Sequence, residues 1–276
     1  MSDVCRIWAD GKHKFLVNYL LFFYAVFFFF FINHKFFGQV QPMYFRLEPD
    51  LPQLFVLATG IPKWLVLHPG AYVWLDVVVL LFPAAIVAYY YRNNKFNLVL
   101  GVSFTAYLML YFLLQSALLN VSLHPCVPYV ILSGMFWCNS DLRFQLVLKV
   151  ARFIVLYMFA SAAMWKILRG ALIEPQQMSY ILMEQHANYM VSDCNAWICS
   201  FHTYLIQSPV LSQTLYIVAT FLEMTFIAGF FTRKYDKLLV LLLIVFVVFN
   251  QIIMRIPYWA ILVSAITLWE SISDYD

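Results

Sequence analysis

Residues 141–170, DLRFQLVLKVARFIVLYMFASAAMWKILRG, decide the reading of this chain. The apolar part, 146–168, is long enough to cross the ~30 Å hydrocarbon core of a bilayer at ~1.5 Å per residue. Yet Lys149, Arg152 and Lys166 sit within it or near its end. A charge at the centre of a membrane costs about 2.5–3.5 kcal/mol even on lenient insertion scales, so such side chains face a protein interior or a polar cavity. Lys149 and Arg152 are expected to pair with acids on neighbouring helices. For Lys166 two readings stand: it lines a polar site near one membrane face, or it lifts its amine to the headgroups with Trp165 anchoring beside it.

Composition extends this reading to the whole chain. Of 276 residues 64% are hydrophobic and only 11% charged, against roughly 25% charged in a soluble domain. The expected fold class is all-α, a polytopic helical membrane protein with about six to eight membrane helices, short or re-entrant ones included. The net charge of +3 is spread over several loops, so no basic face for nucleic acid is expected, and lipid is the expected surroundings. With eight glycines and no Gly-rich phosphate loop, HExxH or CxxC motif, nucleotide and zinc-protease chemistries are not indicated.

The expected spans are 15–37, 71–91, 98–119, 146–168, 210–231 and 238–254, with shorter apolar pieces at 121–138 and 256–269. The first span starts after a polar-leaning segment and is too long for a signal-peptide core, so it reads as a retained helix. Its poly-Phe block suits lipid or a partner membrane protein. Loops 38–70 and 169–209 join the spans, the first expected to pack on the membrane face. Arg92 and Lys95, and the cluster Arg233, Lys234 and Lys237, read as two cytoplasmic turns. Both lie on one side only if 121–138 supplies a fourth crossing between them. The N-terminus is then cytoplasmic and the two long loops are outside.

An outer loop 169–209 would permit disulfides. Cys194 and Cys199 are the candidates: they close on each other in an irregular loop, or either reaches Cys126, or all five cysteines are plain small hydrophobes. His186 and His202 lie in the same loop, but their spacing with the cysteines fits no tight ligand pattern, and no metal site is assigned. In the 210–231 span Glu223 is the only acid, and a buried carboxylate needs a partner. Lys149 or Arg152 is the expected one, with Asp76 and Arg255 drawn into the same buried charge network.

LRFQ (142–145), an apolar run, ASAAMWKIL (160–168) and MSYIL (178–182) resemble the central segment of vitamin K-dependent gamma-carboxylases and their bacterial horizontally transferred transmembrane domain (HTTM) relatives. FLEMTFIAGFFTRKYDKLLVLLL (221–243) is similar to the helix that follows there, and DoxX-like membrane proteins share the small-residue-then-Lys signature more loosely. The resemblance covers roughly 98–255. It implies a carboxylase-like helical membrane fold in the inner membrane of a bacterium, with Lys166 on the position of the base towards a quinone-like lipid cofactor and Glu223 on the helix acid. The chain departs from the pattern at Trp165, which replaces the first Lys of the pair, and at Phe249-Asn250, where Phe-His is expected. Two functions follow. One is a subunit or accessory factor packed against another membrane protein. The other is a membrane enzyme using a quinone-like cofactor, with Lys166 as general base and His186 or His202 assisting. A transporter would show internal symmetry around a midplane site, and none is visible.

Overall fold

Six helices among the described residues are long and apolar enough to cross a membrane: Gly11–Ile32, Gly70–Asn93, Leu98–Leu118, Asp141–Leu168, Pro209–Phe231 and Asp236–Ile253. The computed structural model describes residues 3–39, 51–68, 70–119, 126–192, 196–256 and 258–269, and no strand occurs among them. In chain order the helices are α1 (Asp3–Ile32), α2 (Leu51–Ala58), α3 (Ile61–Leu67), α4 (Gly70–Asn93), α5 (Leu98–Leu118), α6 (Val127–Ser133) with a 3-10 turn over Gly134–Trp137, and α7 (Asp141–Leu168). Then follow α8 (Gln177–Ser192), α9 (Ala196–Gln207), α10 (Pro209–Thr225), α11 (Ala228–Phe231), α12 (Asp236–Ile253), a 3-10 segment (Tyr258–Ser264) and α13 (Ala265–Trp269). The chain is thus an all-α polytopic helical membrane protein. The two segments expected as loops are corrected in part, because 38–70 contains α2 and α3 and 169–209 contains α8 and α9. Proline and glycine there start and stop short helices: Pro62 sits in the first turn of α3, and Gly60 before it takes a φ of 74°.

Contacts divide the chain into two units, one running to Ala151 and resuming at Trp259, the other from Arg152 to Tyr258. The first is built on aromatic packing. Phe15, Tyr19, Phe23 and Phe27 recur at helical spacing along α1 and are buried. They meet Phe104, Tyr111, Phe112, Tyr129 and Phe136 at ring separations between 5.1 and 6.4 Å. Offset and edge-on ring pairs of this kind each add about 0.5–1.5 kcal/mol beyond area burial. The poly-Phe block therefore divides, with Phe27 and Phe30 buried in this core and Phe28 and Phe31 exposed on the outer face of α1.

The segment 126–137 runs antiparallel to α5. Tyr129 lies beside Phe112, while Phe136 lies beside Phe104 and closes on Gly101 near the start of α5. Val127–Trp137 is shorter than the six candidate spans, and 120–125 and Pro257 lie outside the described residues. At that end Lys12 pairs with Asp141 at 2.5 Å and donates to the Asn139 carbonyl at 3.0 Å. A Cβ on Gly101 would stand 2.6 Å from the Phe136 carbonyl oxygen, which is backbone and has little freedom to yield. Gly101→Ala is expected to cost about 1–3 kcal/mol through overpacking, read as a lowered melting temperature in detergent.

The last apolar block is two pieces. α12 ends at Ile253, and the segment from Trp259 packs with the first unit, where Val263 and Ile266 are buried in the aromatic core and Trp259 meets Phe29.

In the second unit α7 from Arg152 onward packs with α10, α11 and α12. Phe159 stacks on Phe226 with ring centroids 4.2 Å apart and meets Phe246 edge-on at 5.3 Å. Ala163, buried completely, allows the close approach that the small residues 160–163 foretell. α7 stops at Gly170, whose φ is 70°. Ala171 N–H donates to the Lys166 carbonyl and Gly170 N–H to that of Ile167, the paired bonds of a Schellman motif.

Candidate functional site

Two ion pairs hold α7 to the helices after it, and each is set by position along the helix. Arg152 and Lys166 are fourteen residues apart, about 21 Å of helix rise. They cannot serve one acid. Lys166 Nζ donates to both carboxylate oxygens of Glu223, at 2.7 and 2.8 Å. Arg152 makes a two-pronged contact with Asp236: Nε to Oδ2 at 2.9 Å and Nη2 to Oδ1 at 2.7 Å. The fork geometry of guanidinium matches a carboxylate in this way, and an ammonium could not reproduce it.

The Arg152 pair is the drier one, with side chains 3% and 0% exposed. Nη2 also donates to the carbonyls of Gly229 at 2.8 Å and Thr232 at 3.4 Å. These carbonyls lie at the end of α11, where the helix leaves them unpaired, and Asp236 opens α12, where an acid favours the dipole. One guanidinium therefore ties the tight α11–α12 turn to α7. Gly229 makes the approach feasible, since a Cβ there would lie 2.5 Å from Leu156 Cδ2.

The single network expected from the sequence is corrected by this geometry. Neither Lys149 nor Arg152 is the partner of Glu223. Lys149 is exposed and forms no ion pair among the described residues. Asp76 belongs to the first unit, where it accepts from Gly38 N–H at 2.8 Å, Phe37 N–H at 3.3 Å and the Tyr111 hydroxyl at 2.8 Å. Three donors satisfy that carboxylate without a cation. Arg255 lies beyond the end of α12, exposed, with a φ of 52°, and belongs to neither pair. Asp236 is the residue that sequence reasoning missed. Its signal was present in RKYDK (233–237), an acid inside a basic turn and at the start of an apolar run.

Lys166 neither snorkels nor stands free. Its side chain, 25% exposed, turns to Glu223, which is 4% exposed, and its amine lies 5.3 Å from the centre of the Tyr216 ring. At this end the Trp165 ring is instead covered by the Arg169 guanidinium, at 4.4 Å. Around Lys166, α10 presents a polar stripe at helical spacing: Ser212, Gln213, Tyr216, Thr220 and Glu223. Ser212 shares a hydrogen bond with Ser179 of α8 at 2.8 Å, and Gln213 donates to the carbonyls of Ala171 and Leu172. The stripe ties α8 and the end of α7 to α10.

His186 and His202 come together, but as a cap. Their rings stack 4.0 Å apart, with Nε2 of His186 3.0 Å from the Ile253 carbonyl and Nε2 of His202 3.1 Å from that of Ile252. The last carbonyls of α12 lack partners in their own helix, and α8 and α9 supply these. Burial holds the His186 imidazole below its ordinary value; the Ile253 contact opposes this, and His202 and Arg255 add to it. The sign follows. The unfolded chain binds a proton near pH 6.5 and the folded chain only at lower pH, so stability is lost as pH falls below about 6.5. Melting temperature should drop between pH 7 and pH 5, and His186→Gln should flatten that dependence.

Cys126 and Cys138 are buried free thiols, so a bridge to Cys126 is corrected. Cys194 lies outside the described residues, and Cys199, in α9, is not among the free thiols. No group of three or more metal-ligating side chains occurs among the described residues.

The class that fold and site define is an α-helical integral membrane protein in which Arg152 and Lys166 are paired with acids on neighbouring helices. No protein-family model, curated protein or solved structure matches the chain.

Proposed function

We propose that this protein is a carboxylase-like, HTTM-type membrane protein that serves as a subunit or accessory factor of a membrane complex rather than as the catalyst. The supporting observation is that Lys166 is committed to both oxygens of Glu223, with the Tyr216 ring on its remaining side. A general base needs a lone pair directed at substrate, and this amine is directed at a carboxylate. The exposed apolar faces of the spans meet lipid and one partner chain, the N-terminus faces the cytoplasm of a bacterium, and Cys194 and Cys199 bridge each other outside. Peptide mapping without reductant should find the 194–199 bridge. Solubilisation of native membranes under mild conditions should yield the chain with a second membrane protein at fixed stoichiometry. A lone monomer carrying a lipophilic ligand would count against this reading.

One observation favours the enzyme reading: Lys166 keeps a quarter of its side-chain surface exposed. In that reading a quinone-like lipid approaches beside Tyr216, and Glu223 yields the amine as the base. Lys166→Met combined with Glu223→Leu separates the two. A folded, partner-binding double variant supports the accessory role, and a folded variant that no longer sustains the cell's phenotype supports the enzyme.

A further inference from the structure

α2 is patterned the reverse of a helix that meets water. Its buried positions are Gln53 and Val56, and its outward positions are Leu51, Pro52, Leu54, Phe55 and Ala58, all apolar. Leu51 is 81% and Phe55 75% exposed. The one polar side chain points inward, where Gln53 Nε2 donates to Ser116 Oγ. α3 continues the pattern, with Pro62 and Leu65 buried and Ile61, Trp64, Val66 and Leu67 outward. Lys63 is the only Lys, Arg, Asp or Glu between 51 and 68.

The neighbour of this hairpin is α5. Along α5 the exposed positions are Leu98, Val99, Val102, Ser103, Ala106 and Met109, and beyond Met109 no residue of the helix is exposed. That is where α2 and α3 pack on it, with Gln53 at Ser116, two residues from the end of the span. At ~1.5 Å per residue, Ser116 lies only about 3 Å from the end of a helix about 31 Å long. α2 therefore stands beside the last third of a membrane span and carries on its lipid-facing surface where α5 is covered. At eight and seven residues, α2 and α3 are about 12 and 10 Å long, too short to cross.

We infer that α2 and α3 form a re-entrant hairpin embedded in the acyl-chain region of the bilayer, with Leu51, Leu54 and Phe55 in contact with phospholipid tails. Residues 51–68 thus belong to the membrane domain. Burial of Gln53 against Ser116 leaves α2 with an outward surface that carries no polar side chain, while Lys63 on α3 is exposed and has a long stem by which its amine reaches the headgroups. This holds whatever the protein's function.

The test is photocrosslinking of the full chain in dioleoylphosphatidylcholine nanodiscs, with Phe55→p-benzoylphenylalanine and, as a lipid-facing benchmark on α5, Val102→p-benzoylphenylalanine. Illumination should add the mass of one phospholipid at both positions, with yields within about two-fold of each other. Leu51→p-benzoylphenylalanine carries the same expectation and serves where the position 55 variant folds poorly. A lipid adduct at 102 with none at 51 or 55 would overturn the inference, and so would a chain-to-chain adduct of doubled mass at those positions.

Discussion

Replacing Arg152 by Met is expected to cost about 3–5 kcal/mol, because it leaves the Asp236 carboxylate buried without its cation. Asp236 is completely buried and lies where α11 hands over to α12. The loss extends beyond the pair. The carbonyls of Gly229 and Thr232 lose the donor that closes the turn, and a buried acceptor without a partner costs about 1–3 kcal/mol. Arg152→Lys should recover only part, since an ammonium cannot engage both carboxylate oxygens and the two carbonyls from one planar group. Asp236→Asn should fall between, as the amide keeps one acceptor but strands the guanidinium charge. Thermal melting in one fixed detergent and lipid mixture checks the series, whose expected order of falling stability is wild type, Arg152→Lys, Asp236→Asn, Arg152→Met.

The second large effect concerns the C-terminal end of α7. Glu223→Leu leaves the Lys166 ammonium with a neutral neighbour, and Lys166→Met leaves Glu223 as a bare carboxylate beside Tyr216. The expected costs differ. Lys166 keeps access to the surface and can swing outward, so Glu223→Leu should cost about 1–3 kcal/mol, while Lys166→Met approaches the ~3–5 kcal/mol of a stranded buried charge. Equal costs would mean that the amine has no route to the surface. Both should lower the yield of folded protein from membranes before any activity is measured.

How far the sequence could be read depends on the period of each signal. The spans were legible because twenty apolar residues in a row have one physical outcome, and the observed helices depart from the expected bounds by a few residues: Asp141–Leu168 against 146–168, and Pro209–Phe231 against 210–231. The need for Lys166, Arg152 and Glu223 to find partners was legible too, from the cost of charge in a bilayer. The identity of those partners was not. It depends on the register of α7 against the α10–α12 hairpin, and composition says nothing about register. Asp236 was hidden because it lies among Arg233, Lys234 and Lys237, where an acid reads as part of a solvated turn. α2 and α3 were hidden for another reason: prolines and a short apolar run describe a loop and a pair of short helices equally well. The histidines were visible as a pair of candidates, but that they cap α12 depends on Ile252 and Ile253 carbonyls that no side-chain pattern announces.

Both ion pairs fasten helices to one another, and the Lys166–Glu223 pair is the one on which the proposed accessory role and the enzyme alternative differ. The most direct measurement is therefore a double-mutant cycle across that pair by thermal melting in nanodiscs, using Lys166→Met, Glu223→Leu and the two together. Fastening predicts that the double variant regains most of the stability lost in Lys166→Met, since an apolar pair of similar volume replaces a buried ion pair at little cost. Losses that simply add, or a Lys166→Met variant as stable as the wild type, would contradict the account.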